Sequence, residues 1–311
     1  MKNNRKNKYN INEDKKGLEG FIIEGLSSHE KSMLRLKQTE IPNTADSIHA
    51  GLKTLGVSEG DVLMVHSSLS SLGEVLGGQE AVVRALLKAV GNEGTIVMPA
   101  FTWENDDPIN YENPPIPAEW HEMFRENMLP FNKDTTPVFV KGIGIIPEYF
   151  RTYPGTLRSD HPYVSFTANG KLAGQIVARH ALTPSQGMET PLGALYNLGA
   201  KILLLGVDYD NCTAFHLSEA LTERLPVVTE RYLITEAGTR LWKSVEDYDY
   251  DGDADFLDIG NAYEEGGGVS VGQIGLAVCK LFDFKPAVDF GTEWIIKNRD
   301  LPGNTTIIRS I

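Results

Sequence analysis

Two short apolar runs, D-V-L-M-V-H at 61–66 and G-T-I-V-M at 94–98, flank an amphipathic stretch at 79–90, and this arrangement constrains the fold more than any other feature. Runs of five or six mostly aliphatic residues are too short for core helices and read as strands. Between them Val82, Val83, Leu86 and Leu87 recur at helical spacing. Strand, helix and strand in that order make a βαβ unit, whose strands pair in parallel through a right-handed crossover. The fold class follows: α/β, a single domain with a central, partly parallel sheet flanked by helices.

The remaining elements fit that class. Thr44 is placed to cap a helix with an Ile48, Leu52, Leu55 stripe, and Gly56 to end it. Residues 104–137 carry Pro108, Pro114, Pro115, Pro117 and Pro130 and read as a long irregular wall or lid. Val138–Phe150 reads as ordered, with a helix from near Gly142, and Ala168–Ala181 and Pro191–Leu198 read as helices. Ile202–Val207 is a strand, Val227–Leu233 and Thr239–Lys243 are strand-like, and Val271–Phe282 and Gly291–Lys297 read as closing helices. Residues 1–41 are rich in Lys, Asn and Glu; Glu30–Leu36 has helical character but no core face, so a flexible leader is expected ahead of a catalytic body at 42–311.

The net charge of −13 argues against nucleic acid, whose phosphates require concentrated Lys and Arg; it would suit a cationic small molecule, although from charge alone an acidic balance that merely aids solubility is the preferred reading. No apolar run approaches a membrane span, and no apolar core follows the basic N-terminus, so the expected location is the cytoplasm. Two cysteines, Cys212 and Cys279, make no disulfide framework. No His/Cys cluster has zinc spacing, and no metal is expected.

Chemistry concentrates in K-I-L-L-L-G-V-D-Y-D-N-C-T-A-F-H-L-S-E, 201–219. A buried strand, a polar loop and a helix start deliver Thr213 and His216, three apart, to one helix face. An imidazole is the side chain best suited to general-base work near neutral pH, and it needs a carboxylate to fix its tautomer. Glu189, in G-M-E-T-P-L-G, is the chosen partner; Glu219, three residues after His216, is its rival. Cys212 reads as packing. The loop H-S-S-L-S-S-L-G, 66–73, offers hydroxyls and backbone N–H groups to an anion, although its glycine spacing is neither Walker nor dinucleotide-binding. His161 precedes a proline and so lies on extended backbone. Asp247–Asp258 imitates a calcium loop, with Gly252 at its sixth position, but ends in Asp rather than the bidentate Glu. An acidic surface loop, or an acidic wall facing a cationic substrate, is the preferred reading of it.

Together, H-S-S-L-S-S-L-G (66–73), R-S-D-H-P-Y-V-S-F-T-A-N-G (158–170), G-M-E-T-P-L-G (187–193), L-L-L-G-V-D-Y-D-N-C-T-A-F-H-L-S-E (203–219), V-E-D-Y-D (245–249) and V-D-F-G-T-E-W (288–294) resemble the aminoglycoside 3-N-acetyltransferase family, from about Pro42 to about Lys297. The resemblance implies the antibiotic N-acetyltransferase fold rather than the GNAT fold, and acetyl-CoA as cosubstrate. It implies that His66, Ser67, Ser68, Leu69, Ser70 and Ser71 lie along CoA, with His161, Ser165 and Phe166 near the cofactor arm. It makes His216 the base, Glu189 its orienting carboxylate and Thr213 their neighbour. In this setting Asp208, Asp210, Asp247 and Asp249 become candidates for the ammonium groups of an aminoglycoside. Many relatives have Ser where Thr190 stands.

The expected activity is acetylation of the 3-amino group of a 2-deoxystreptamine aminoglycoside, which confers antibiotic resistance. Two alternatives stand beside it: the same chemistry on a different amine metabolite, and a calcium-binding module built on Asp247–Asp258.

Overall fold

The computed structural model describes residues 27–102, 105–111, 114–250 and 255–301. Its centre is a seven-stranded sheet formed by β1 (Val62–Ser67), β2 (Thr95–Pro99), β3 (Leu157–Arg158), β4 (Phe166–Gly170), β5 (Lys201–Leu205), β8 (Val269–Ile274) and β9 (Ala277–Asp283). The strand order is β3-β4-β2-β1-β5-β9-β8. The hairpin of β6 (Val227–Glu236) and β7 (Thr239–Tyr248) forms a separate two-stranded sheet. Only β2, β1 and β5 run in parallel, with β1 in the middle; the outer pairings are antiparallel. The sheet is therefore mixed, with the expected parallel unit at its heart.

Strand alternation decides which helices cover which face. Leu63, Val65, Leu203 and Leu205 join one apolar cluster with Ile48, Leu52, Val82 and Leu86. These last four come from the helices α2 (Ala45–Leu55) and α3 (Gly78–Val90). Met64, Ile202 and Leu204 point the other way, into a cluster with Leu195, Phe215, Leu217, Phe256 and Val288. That second layer consists of α8 (Pro191–Leu198), α9 (Ala214–Leu221), α10 (Phe256–Glu265) and α11 (Phe284–Asn298). His66 follows Met64 at a spacing of two and so belongs to the α9 side. The Thr44 cap and the Gly56 stop of α2 are both observed.

Several elements differ from the sequence reading. Val271–Phe282 is not a helix but the β8–β9 hairpin, turned at Gly275 with φ of 59°. Buried Ala277, Cys279 and Leu281 repeat at period two, which is a strand signal that the apolar Val278 and Phe282 obscured. Ala168–Ala181 divides into the end of β4 and the short helix α7 (Ala173–Val177), because Ala168 is needed to pair β4 with β2. The irregular 104–137 segment contains α4 (His121–Asn127). Two short helices, α5 (Val140–Ile143) and α6 (Ile145–Arg151), replace one around Gly142. Within the supposed leader, α1 (Ser28–Gln38) carries a reciprocal Ser27–Glu30 capping box; residues 1–26 lie outside the described residues.

The loop after β5 is fixed from beneath. Tyr209 is fully buried against α10, and its hydroxyl donates to Glu264 at 2.8 Å. A Cβ added at Gly260 would fall 1.9 Å from the Tyr209 ring. Gly260→Ala is therefore expected to lower unfolding free energy by about 1–3 kcal/mol through overpacking. Gly174→Ala, whose Cβ would meet only Leu157 at 3.9 Å, should leave stability unchanged or raised. Urea melts of the two variants would reveal this contrast, and equal midpoints would contradict it.

Candidate active site

Parallel strands bring their C-terminal ends to the same edge, which in open α/β sheets is where ligands bind. Here Ser67 of β1 is in register with Leu205 of β5, and the Ser68 N–H donates to the Leu205 carbonyl at 3.0 Å. The H-S-S-L loop and the G-V-D-Y-D-N loop thus leave the sheet side by side. A cavity of about 560 Å³ opens between them. His66, Ser67, Ser68, Leu69 and Ser70 line it from β1, Phe101 from beyond β2, and Asp210, Asn211, Thr213 and His216 from beyond β5. Ser71 is not part of the lining; its hydroxyl donates to Ser68 Oγ at 2.8 Å and braces the loop.

Thr213 is the cap residue of α9 but makes no side-chain capping bond. His216 sits in the first turn of the same helix, and its Nδ1 lies 2.6 Å from Glu219 Oε2. Glu219 is completely buried; its other oxygen accepts from Arg299 at 2.5 Å, and Arg299 also grips Asp255 through two bonds of 2.5 and 2.6 Å. An ionised carboxylate only accepts hydrogen bonds, so it holds the proton on Nδ1 and leaves Nε2 as the basic nitrogen. Phe256, edge-on at 4.9 Å, fixes the ring plane.

The expected pairing of His216 with Glu189 is replaced by this one. Glu189 stands before the Thr190 cap of α8, and its carboxylate pairs with Arg179 at the surface. The helical i, i+3 relation that made Glu219 a rival is the geometry the fold uses. His161, Ser165 and Phe166 also lie away from the cavity lining. His161 Nδ1 accepts the N–H groups of Tyr163 and Val164, both at 3.1 Å, which makes it a buried staple of its own loop. Ser165 donates to Ala100 O at 2.8 Å and accepts from Arg158 at 2.9 Å. Phe166 packs at 5.7 Å behind Phe101, which is the ring that meets the cavity.

Of the four acidic candidates only Asp210 lines the cavity. Asp208 is tied to Lys280 at 2.9 Å. Asp247 is buried and accepts from Ser185 N, Tyr248 N and Thr183 Oγ1; burial pushes its carboxyl up to about 6. Asp249 donates its backbone N–H to Pro226 O at the base of the hairpin. The calcium-loop reading falls partly on residues 251–254, outside those described. Its described ends are otherwise engaged, Asp247 as above and Asp255 with Arg299, and no cluster of three metal-ligating side chains forms among the described residues. Burial pushes the Cys212 thiol up to about 12, as suits a packing residue.

Two cavity residues, and one that stands behind the cavity, carried no sequence signal of their own. Arg35, from α1, and Lys141, from α5, bring the cations of the lining. Arg299 has no motif around it and reaches Glu219 from 80 positions away. Burial, and then nearby His216, push His66 down to about 3, so it is a neutral imidazole; its Nε2 is buried without a partner.

A family model described as Aminoglycoside 3-N-acetyltransferase matches residues 64–296. The chain belongs to the aminoglycoside 3-N-acetyltransferase family. It is an acyltransferase with that family's α/β fold. It is 41% identical over 263 residues to the SPbeta prophage-derived aminoglycoside N(3')-acetyltransferase-like protein YokD of Bacillus subtilis, covering 85% of this chain and 96% of that one. The crystal structure of YokD superposes with a TM-score of 0.83 over 86% of this chain and 98% of that chain. AAC-IIIb, solved as a binary complex with CoASH, gives 0.75 at 29% identity over 85% of this chain and all 100% of that one. AAC-VIa bound to sisomicin gives 0.75 at 30% identity, with 84% and 100% covered.

Two outcomes follow for stability. Arg299→Ala strands the buried Glu219 charge and should cost roughly 3–5 kcal/mol, whereas Arg179→Ala, which frees only the half-exposed Glu189, should cost at most about 1 kcal/mol. Chemical denaturation of both variants measures the difference. His66 and His180, lowered to about 3 and about 4, and His161, also lowered, are held neutral by burial. The unfolded chain, at an ordinary 6.5, binds more protons than the folded one below that pH. Their contribution is complete above pH 6.5 and is lost as the pH falls toward the lowered values. Unfolding free energy should accordingly drop between pH 7 and pH 5, and a flat profile there would contradict the neutral assignment.

Proposed function

We propose that this chain transfers the acetyl group of acetyl-CoA to the 3-amino group of a 2-deoxystreptamine aminoglycoside, with His216 as general base and Glu219, rather than Glu189, as its orienting carboxylate. The observation that carries the reading is the His216–Glu219 pair opening on a cavity of about 560 Å³ at the strand ends. Family membership and the CoASH complex of AAC-IIIb support acetyl-CoA as cosubstrate. The sisomicin complex of AAC-VIa supports an aminoglycoside as acceptor. Such an activity would confer resistance from the cytoplasm, where acetyl-CoA is made.

The chemistry balances without any further reactant. His216 Nε2 takes a proton as the amine nitrogen attacks the thioester carbonyl carbon. The carbonyl π pair moves onto oxygen, and the Thr213 hydroxyl donates to that oxyanion. Glu219 stabilises the imidazolium, and Arg299 holds Glu219 in place. When the oxyanion collapses, the C–S bond breaks, and the imidazolium returns its proton to the sulfur. The products are an amide and the CoA thiol. Loss of the ammonium charge would weaken such a drug's hold on RNA phosphates.

One specific observation favours a second acceptor class. Among the described residues Asp210 is the single carboxylate on the cavity lining, which gives a polyamine little charge recognition from that part of the wall. The relative from Bacillus subtilis is itself described only as acetyltransferase-like. An amine metabolite with fewer ammonium groups is therefore the alternative acceptor. A thiol-release assay across aminoglycosides and simple amines separates the two, and no turnover with any 2-deoxystreptamine drug would remove the first.

His216→Ala should lower kcat by about 10²–10⁴-fold while calorimetry still records CoA binding. Glu219→Gln should also lower kcat, and Glu189→Gln should leave it unchanged. The reverse order for the two carboxylates would restore Glu189 as the partner.

A further inference from the structure

Helix α1 lies before residue 64, where the family match begins, yet its Arg35 lines the cavity. The helix is not held there by a buried apolar face, for Met33 and Leu36 remain 43% and 50% exposed. It is held at its C-terminal end. Thr39 Oγ1 donates to the Arg35 carbonyl at 2.8 Å and accepts the Glu74 N–H at 3.0 Å. One hydroxyl thus ties the turn that carries Arg35 to the loop that follows β1. Ser32 Oγ accepts from the Arg35 guanidinium at 2.9 Å and limits its swing.

The charge of the cavity is opposite in sense to that of the chain. With 42 acidic and 29 basic residues, the molecule as a whole repels anions. Among the described residues, the lining nevertheless carries two cations, Arg35 and Lys141, against a single carboxylate, Asp210. The hydroxyls of Ser68 and Ser70, 3.1 Å apart, stand on the same wall. Cations gathered beside hydroxyls in an otherwise acidic protein fit an anionic ligand with several oxygens, and a guanidinium fork suits phosphate oxygens best.

We infer that α1 is a clamp for the cosubstrate, and that Arg35 binds a phosphate group of CoA in concert with Lys141 and the Ser68–Ser70 loop. The inference rests on the acetyl-CoA reading above and adds to it a binding residue from outside the matched family region. Arg35 contributes to affinity and on-rate, not to the acyl-transfer step.

The full-length chain tests this by calorimetric titration with CoA, dephospho-CoA and pantetheine. Arg35→Gln should weaken CoA roughly tenfold, the loss of about one charge-assisted hydrogen bond, and leave the phosphate-free pantetheine unchanged. Dephospho-CoA locates the contact: an undiminished loss means the diphosphate, a vanished one the 3′-phosphate, and both support the clamp. Thr39→Val, which unties the helix without altering charge, should also weaken CoA. Lys37→Gln, a loss of equal charge on α1 away from the cavity lining, should not. The KM for acetyl-CoA should rise in Arg35→Gln. If Arg35→Gln binds CoA within twofold of wild type, or loses pantetheine equally, the clamp is overturned while the acetyl-CoA reading stands. Failure of the wild-type chain to bind CoA at all would overturn both.

Discussion

The pairing of β1 with β5 is the constraint on which the site depends. These strands are distant in sequence: β1 ends at Ser67, β5 begins at Lys201, and β2, β3 and β4 all lie between them along the chain. Their parallel register carries His66 opposite Leu204 and Ser67 opposite Leu205. Two loops that are unrelated in sequence therefore leave the sheet within one hydrogen bond of each other. Alternation along β1 then turns His66 toward the face on which α9 packs, where His216 is. A slip of one residue would turn His66 to the opposite face, with the α2–α3 cluster, and separate the two imidazoles.

Behind that register, one buried carboxylate organises the charges. Glu219 has no exposure, and isolated carboxylates are not stable in such surroundings. Its two oxygens are divided between His216 and Arg299, and Arg299 is in turn neutralised by Asp255. The chain of contacts links α9 to the start of α10 and to the residue just beyond α11. The helix that carries His216 is thereby connected to the closing helix of the fold. A shift of α11, which contributes no residue to the cavity lining, would be felt at the imidazole.

Much of this is legible in the sequence where chemistry and periodicity are local. The βαβ unit, the Thr44-capped helix, Pro191–Leu198 and the Thr213–His216 layout all depend on neighbours within a few positions. The family resemblance rests on ordered motifs of the same local kind. The departures are of two sorts. Val271–Phe282 has enough apolar residues to satisfy either period, and only its pairing with β5 decides for strands. Glu189 is attractive because a rigid helix entry suits a positioned carboxylate, but rigidity does not provide proximity, and the fold carries Glu189 to Arg179 instead. His161, Ser165 and Phe166 are motif residues whose hydrogen bonds and packing serve the loop and the wall behind Phe101. Arg35 and Arg299 cannot be found at all from spacing, since each reaches the site from an end of the described chain.

Burial sets the charge of one imidazole on the cavity lining. His66 is pushed down to about 3 by desolvation and by His216, so it adds no positive charge beside His216. A charged neighbour there would oppose formation of an imidazolium on His216. A neutral His66 avoids that repulsion. The cations of the lining come instead from α1 and α5, separate elements from the helix that carries His216. Under the proposed function, anion binding and proton abstraction would thus draw on different parts of the fold, and the cavity could hold a negatively charged acyl carrier while His216 stays available to accept a proton.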